Sequence, residues 1–338
     1  MRKDTRKFSI VTEADSHGIT KMTIFREIRE SCLWVARVAK SVQIDELALE
    51  HLATIFKDSY SNEQEDYSEL SFESHVEKLQ YVVLLDAVNF GSGWFPELRK
   101  PAEMSGYKTI SRAFLDHCKK KGVPPIKDLV RFTPEVCSEL FHQNGNKAVF
   151  PLMELFSKSW TDLGNFLLAN YSGSLENLVL EARGSAAALV NALTSMPMYR
   201  DVSLFEGKPI PFHKRAQITC ADLHSSFEGL SFGKFSDINE LTMFADNLVP
   251  HVLRHEGVLI YKDSLSRKIE RETRLPSSSP EEVEIRALAV TAVELFAEIL
   301  RKKGCSVPPR VLDGWLWHRG QKPEIKSSPR HRTYSSYY

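Results

Sequence analysis

Neither sign of charge prevails in this chain, in which 44 Lys and Arg residues balance 44 Asp and Glu residues. A dedicated duplex-DNA binder draws its affinity largely from neutralised phosphates, so the absence of a global positive field argues against nucleic acid as a partner. A local basic pocket for one phosphate remains compatible with that balance. Cysteine is scarce: Cys32, Cys118, Cys137, Cys220 and Cys305 are odd in number and never spaced as CxxC. That excludes a disulfide framework and a cysteine zinc site and fits a reducing compartment. No window approaches the ~20 apolar residues needed to cross a bilayer. The opening MRKDTRKFSIVTEADSHG is charged and lacks the apolar run of a signal peptide. The chain therefore reads as soluble and cytoplasmic, with no membrane association and no obligate protein partner evident. Phosphate-binding glycine loops, a GxSxG nucleophile turn and the kinase motifs are all missing, as are internal repeats and heptads.

What is present is a folded composition, 42% hydrophobic and 26% charged. Helical periodicity dominates it. Phe25, Ile28, Cys32, Val35, Ala36 and Ala39 form one stripe between Met22 and Ser41, and Asp45 is placed to cap a second helix carrying Leu49, Leu52, Ile55 and Phe56. The acidic stretch Ser61 to Glu73 reads as an exposed loop. Further helices are expected from His75 to Phe90, after the Thr133-Pro134 start up to Gly145, over Phe150 to Tyr171, and over Ser174 to Ser195. A long helix over Glu281 to Lys302 should turn Ile285, Leu288, Ala292, Leu295 and Ile299 inward, with Gly304 closing it. Asp201 to Phe212 is the one strand-like region. The expectation is a mainly α protein: a polar N-terminal segment, 1–18, and a single large helical domain, 19–338, with at most a minor strand element. The aromatic ending, Tyr334 to Tyr338, predicts a C-terminal tail docked on the body.

Three segments hold polar groups in apolar surroundings, where such groups need partners or a ligand. In Phe235 to Pro250, Asp237 and Asp246 flank Leu241, Met243 and Phe244. They are either a helix cap and a polar surface position, or a carboxylate held against an aromatic, able to stabilise positive charge on a sugar during glycosidic cleavage. Val311 to His318 gathers Asp313, Trp315, Trp317 and His318, and is either a core helix or a binding edge. Leu85 to Trp94 places Asp86 and Asn89 inside an apolar run. His251, His255 and Glu256 lack the HExxH order, and Cys220, Asp222 and His224 lack a second half, so no metal is expected at either.

Taken in order, these segments resemble the queuosine salvage proteins, the queuosine 5′-phosphate N-glycosylase/hydrolase family. The resemblance runs from about residue 25 to 338. Leu85 to Phe90 with Trp94 is similar to the family's LDALNF-type motif, and Lys214-Arg215-Ala216-Gln217-Ile218, followed by Ala221-Asp222, to its RAQI tract. Asp237-Ile238 and Thr242 to Asp246, with Pro250 beyond, resemble its TMFAD tract; Glu282 to Arg286 is an intact EVEIR. Val311 to His318 and the ending His331, Arg332, Tyr337, Tyr338 complete the series. The resemblance implies a fold similar to helical DNA glycosylases and hydrolysis of an N-glycosidic bond without a cofactor. It implies that Asp246 is the catalytic carboxylate, that Phe244 stacks on a 7-deazaguanine base, and that Asp313 hydrogen-bonds that base. Asp237, Asn89, Trp94 and His318 are further candidate contacts. Lys214 and Arg215, with His331-Arg332, are candidates for a phosphate at a helix start. The chain departs from the pattern at Asn247-Leu248 (Tyr-Arg in relatives), His251 (Gln), Gly314 (Tyr) and His318 (Asp), which puts the accepted base substituent in question. Two other readings stay open: a glycosidase for another nucleotide, and a non-catalytic helical protein that binds a modified base or nucleotide.

Overall fold

The computed structural model describes residues 23–60, 72, 74–102 and 104–338; the segment 1–18 and all but Phe72 of the stretch 61–73 lie outside them. Helices form most of the described chain, and their starts follow local chemistry. Thr23 accepts the Arg26 amide to open α1 (Ile24–Val38), which buries Phe25, Ile28, Cys32 and Val35. The chain then extends as β1 (Val42–Ile44) before Asp45 caps α2 (Glu46–Ser59) through the Ala48 amide. Next come α3 (His75–Ala87), α4 (Gly106–Lys121), α5 (Ile126–Leu129) and α6 (Pro134–Leu140). Thr133 caps α6, which stops short of Gly145. The 21 residues of α7 (Phe150–Asn170) lie against α3, α5 and α6.

Between Ser174 and Ser195 the helix expected as one piece is two, α8 (Leu175–Glu181) and α9 (Ala186–Leu193). Arg183 and Gly184 turn the chain there with φ of 50° and 72°, and Ser185 then caps α9. The apolar spacing continues through that break, so periodicity alone hides it. The hairpin of β2 (Val202–Phe205) and β3 (Lys208–Pro211) falls where a strand was expected, and Glu206-Gly207, both at positive φ, make its two-residue turn. After α10 (Lys214–Ser226) and α11 (Leu248–His255) comes β4 (Leu259–Tyr261). It pairs antiparallel with β1, Val42 opposite Tyr261. Strands of three residues are too short to display a period of two, and this ladder has no signature in the sequence. The remaining helices are α12 (Asp263–Glu270), α13 (Pro280–Lys302), α14 (Pro309–Arg319) and α15 (Pro323–Lys326).

The central element is α13. Every residue from Glu282 to Val293 is buried, so this half has no solvent face, while Leu295 and Ile299 are only half-buried where the helix emerges. The surrounding α1, α2, α11 and α14 and the hairpin account for that enclosure. The C-terminal residues lie across the body. Tyr338 is 1% exposed, and its carbonyl oxygen accepts the Gly91 and Ser92 amides. Tyr334 stacks on Trp94, centroids 4.0 Å apart. Among the described residues no helix is long and apolar enough to cross a membrane.

Enclosure forces the polar residues of α13 to find partners. One oxygen of Glu284 accepts three backbone amides, those of Lys40, Ser41 and Val42, at 3.0, 2.6 and 3.1 Å. This pins the turn between α1 and β1 to the central helix. Glu284→Ala leaves three buried donors without an acceptor and should lower stability by about 3 kcal/mol. Chemical denaturation measures it; a loss below about 1 kcal/mol would mean that water satisfies those amides.

Candidate active site

A cavity of about 890 Å³ opens between α10, the start of α11, α14 and the end of α3. The α10 face that lines it carries Lys214, Ile218, Ala221, Asp222 and Ser225, residues that share one side of a helix. Residue His213 enters α10 in the left-handed region, φ 48°, which aims Lys214 across the chain. The Lys214 ammonium is buried and donates to the Asn89 carbonyl at 3.0 Å and to Asn89 Oδ1 at 3.2 Å. Burial pulls its pKa down, and the charges of Asp246 and Asp86 oppose that.

Asp246 stands just before α11. Its Oδ1 accepts the Leu248 amide at 2.8 Å and the Val249 amide at 3.1 Å, so the first turn of the helix clamps the carboxylate. Oδ2 makes no hydrogen bond with the described residues, and the residue lines the cavity. From α14, Asp313 accepts the Phe244 amide at 3.0 Å. Burial, followed by the nearby charge of Asp246, pushes its carboxyl well above the usual range, which favours the protonated form. Behind α10, burial also raises the Asp86 carboxyl, against the lowering influence of Asp222, Lys214, Asn89 and Thr219.

Asp246, Phe244, Asp313, Asn89, His318 and Lys214 all line the cavity; Asp237, Trp94 and Arg215 do not. The Asp237 carboxylate caps α9, accepting from the Ala186 and Ala187 amides at 2.6 and 3.0 Å and from Ser185 Oγ. It is the helix cap that its residue type allowed, on a helix 50 residues away in sequence rather than its own. Trp94 is spent on Tyr334. Arg215 is 1% exposed and donates to the carbonyls of Ala87, Met198 and Ser336, away from the cavity. Arg332 pairs with Glu97 and Gly93, and His331 is buried elsewhere. The cations that do line the cavity are Arg310, Arg319, Lys322, Lys326 and Arg330, beside Lys214. In the sequence these look like a basic surface run, and only the fold turns them to the opening. His251, weighed as a metal ligand, is buried with its Nε2 on the Ile325 carbonyl.

A buried guanidinium underlies both main groups. Arg286, from α13, grips Asp201 with two bonds of 3.0 and 2.6 Å and donates from Nε to the carbonyl of Ala245, the residue before Asp246. Asp201 accepts the Lys214 amide in turn, at 3.3 Å. Tyr338 reaches the same network through Glu282.

Comparison with known proteins points to one family. The model of a family described as queuosine salvage protein matches residues 70–338. The chain is 33% identical over 311 residues to a queuosine 5′-phosphate N-glycosylase/hydrolase of Sphaerobacter thermophilus, covering 90% of this chain and 95% of that one. It is 29% identical over 326 residues to the Dictyostelium discoideum protein of the same name, covering 92% and 98%. With the protein of that name from Bos taurus it shares 34% over 247 residues, 69% of this chain and 72% of the relative.

Removing one member of the buried pair strands the other charge. Arg286→Met should cost about 3–5 kcal/mol of stability, and adding Asp201→Asn should recover part of it because no unpaired charge is left. Denaturant midpoints of the single and double variants check this; strictly additive losses would mean that the two residues are not coupled.

Proposed function

The chain belongs to the queuosine salvage protein family, and on that premise we propose that it hydrolyses the N-glycosidic bond of queuosine 5′-phosphate with Asp246 as the carboxylate at the anomeric carbon. The observation that carries this is the clamped Asp246: one oxygen held by two helix amides, the other without a hydrogen bond from the described residues, in a cavity lined also by Phe244 and Asp313. Release of queuine from the nucleotide supplies the free base for reuse in tRNA modification.

Breaking the bond leaves positive charge on the sugar and negative charge on the base. Asp246 Oδ2 stabilises the first and takes a proton from the attacking water, whose oxygen bonds to the anomeric carbon as the electrons of the C–N bond pass to the base. Because Oδ1 is already fixed, the carboxylate needs no reorganisation as charge develops. A 7-deazaguanine base has carbon in place of N7, so protonation there cannot assist departure. Asp313, beside Phe244 and with its carboxyl raised by burial, is the group placed to offer a proton to the base edge, and the Phe244 ring is the stacking platform. Lys214 counters the charge of Asp246 across the cavity.

The phosphate is assigned to Arg330 and Lys326 in place of Arg215. Neither side chain makes an ion pair or hydrogen bond with described residues; burial, and after it the charges of Arg330 and Lys326, pull the pKa of nearby Lys100 down. A cluster of cationic side chains at the cavity rim suits a dianion.

Asp246→Asn keeps size and removes charge. Turnover of queuosine 5′-phosphate should fall on the order of 10²-fold or more, with base binding within about tenfold, as followed by mass detection of free queuine. Wild-type turnover in this variant would refute the assignment.

The wild type should also favour the nucleotide over queuosine itself, and Arg330→Ala should lower kcat/KM for the nucleotide about tenfold or more while sparing the nucleoside. Equal constants for the two substrates in the wild type would refute phosphate recognition, and an intact preference in the variant would remove it from Arg330.

A further inference from the structure

The ammonium of Lys214 is held by two acceptors of one residue, the Asn89 carbonyl at 3.0 Å and Asn89 Oδ1 at 3.2 Å. Whatever fixes the turn that carries Asn89 therefore fixes the charge of Lys214. Within that turn the amides of Val88, Asn89, Phe90 and Trp94 bond to carbonyls between Leu85 and Gly91, which gives the turn its shape without tying it to the body. The amides of Gly91 and Ser92 instead share one distant acceptor, the backbone carbonyl oxygen of Tyr338, at 2.9 and 3.4 Å.

Tyr338 is in turn fixed by its side chain. The phenol donates to Glu282 Oε1 at 2.9 Å, and the Arg286 guanidinium lies 4.5 Å from the ring centroid, within the range of a cation–π contact. Both partners come from the enclosed half of α13. The residues before Tyr338 have anchors of their own: the Ser336 carbonyl accepts from Arg215, Tyr334 stacks on Trp94, and Arg332 pairs with Glu97. A substitution at 338 thus disturbs one contact and leaves the rest of the tail docked. Arg286 reaches Lys214 by two routes, through Asp201 to its backbone amide and through Tyr338 and the Asn89 turn to its ammonium. Resting on the reading of this cavity as a nucleotide glycosidase site, we propose that Tyr338 is a positioning residue of that site, whose ring, packed on Arg286, places the Asn89 turn and through it the Lys214 ammonium. Without the ring the turn keeps its local bonds and drifts, taking both acceptors of the ammonium with it. A shift of about 1 Å in such a group lowers turnover on the order of tenfold or more. The displaced charge acts on the transition state, so turnover falls further than affinity.

The test compares Tyr338→Ala with Tyr338→Phe, which keeps the ring, and with Glu284→Ala, which lowers stability at a residue outside the cavity lining. With queuosine 5′-phosphate, Tyr338→Ala should lower kcat about tenfold or more and leave KM within about threefold, while Tyr338→Phe restores most of kcat. Glu284→Ala, assayed where it is folded, should keep wild-type kcat. Should Tyr338→Ala fail to fold, Tyr338→Leu fills the space without the cation–π contact and takes its place. Wild-type kcat in that variant overturns the proposal, as does an equal loss in Glu284→Ala. A loss as large in Tyr338→Phe also overturns it, because the defect would then come from stranding Glu282 and not from the ring. A second measurement reads Lys214 without catalysis. In protein labelled with 15N at lysine, an ammonium held by two acceptors away from water should give a slowly exchanging signal that Lys214→Arg removes. Tyr338→Ala should abolish that signal, and Tyr338→Phe and Glu284→Ala should keep it. Its persistence in Tyr338→Ala, or its absence from the wild type, overturns the proposal. If the wild type does not cleave the nucleotide, the glycosidase reading fails, and the exchange measurement alone decides whether Tyr338 places Lys214.

Discussion

Charge buried in a protein interior must be paired, and the pairing of Arg286 with Asp201 is the constraint around which this site is organised. Both side chains are almost fully enclosed, so the guanidinium has to spend its donors on fixed acceptors. Two go to Asp201 and one to the carbonyl of Ala245. Asp201 begins the hairpin that delivers the chain to Lys214, and Ala245 precedes Asp246. One planar group therefore sets the relative position of two segments 45 residues apart by their numbers, 201 and 246. A lysine could not do this, because it lacks the rigid fork that engages a carboxylate at two points while holding a carbonyl at a third.

The same interior divides the carboxyls by environment. Asp246 has the start of α11 to hold one oxygen, and the cavity for the other. Asp313 has one amide and is otherwise shut away from water, with the charge of Asp246 nearby, and its carboxyl is pushed well above the usual range. Chemically identical residues meet different environments because one faces helix amides and the cavity, and the other is buried beside a like charge. Lys214, pulled down by burial and sustained by Asp246 and Asp86, completes a set whose members depend on one another's charge. The overall neutrality of the chain is compatible with a local cluster of cations, Arg310, Arg319, Lys322, Lys326 and Arg330, on the cavity lining.

Much was legible in the residues alone. Three- and four-residue apolar steps announced the helices, side-chain caps at Asp45 and Thr133 marked the starts of two of them, and the mainly α class followed. Asp246 and Asp313 could be singled out because polar groups in apolar runs need a reason, and the order of the motifs pointed to the family and through it to Phe244. What periodicity cannot register is a break that preserves spacing, as at Arg183-Gly184, or strands of three residues, as in β1 and β4. Nor can it register a helix enclosed on all sides: the stripe on α13 marked an inner face, whereas half of that helix has no outer one.

The identity of the chemistry was therefore a property of the sequence, since residue types and their order along the chain survive any ignorance of the fold. The division between working and supporting groups was not. Asp237 and Asp246 look alike as aspartates beside apolar neighbours, yet one caps a helix that arrives from elsewhere and the other fronts the cavity. Lys214 and Arg215 are adjacent, and the helix of which they form the first turn sends one to the cavity and the other into the core. Arg330 and Arg332 are two residues apart in a basic tail, and only the path of that tail over the body gives the first an opening and the second Glu97. Such choices depend on contacts between segments far apart in the chain, which a linear pattern does not encode and tertiary packing alone decides.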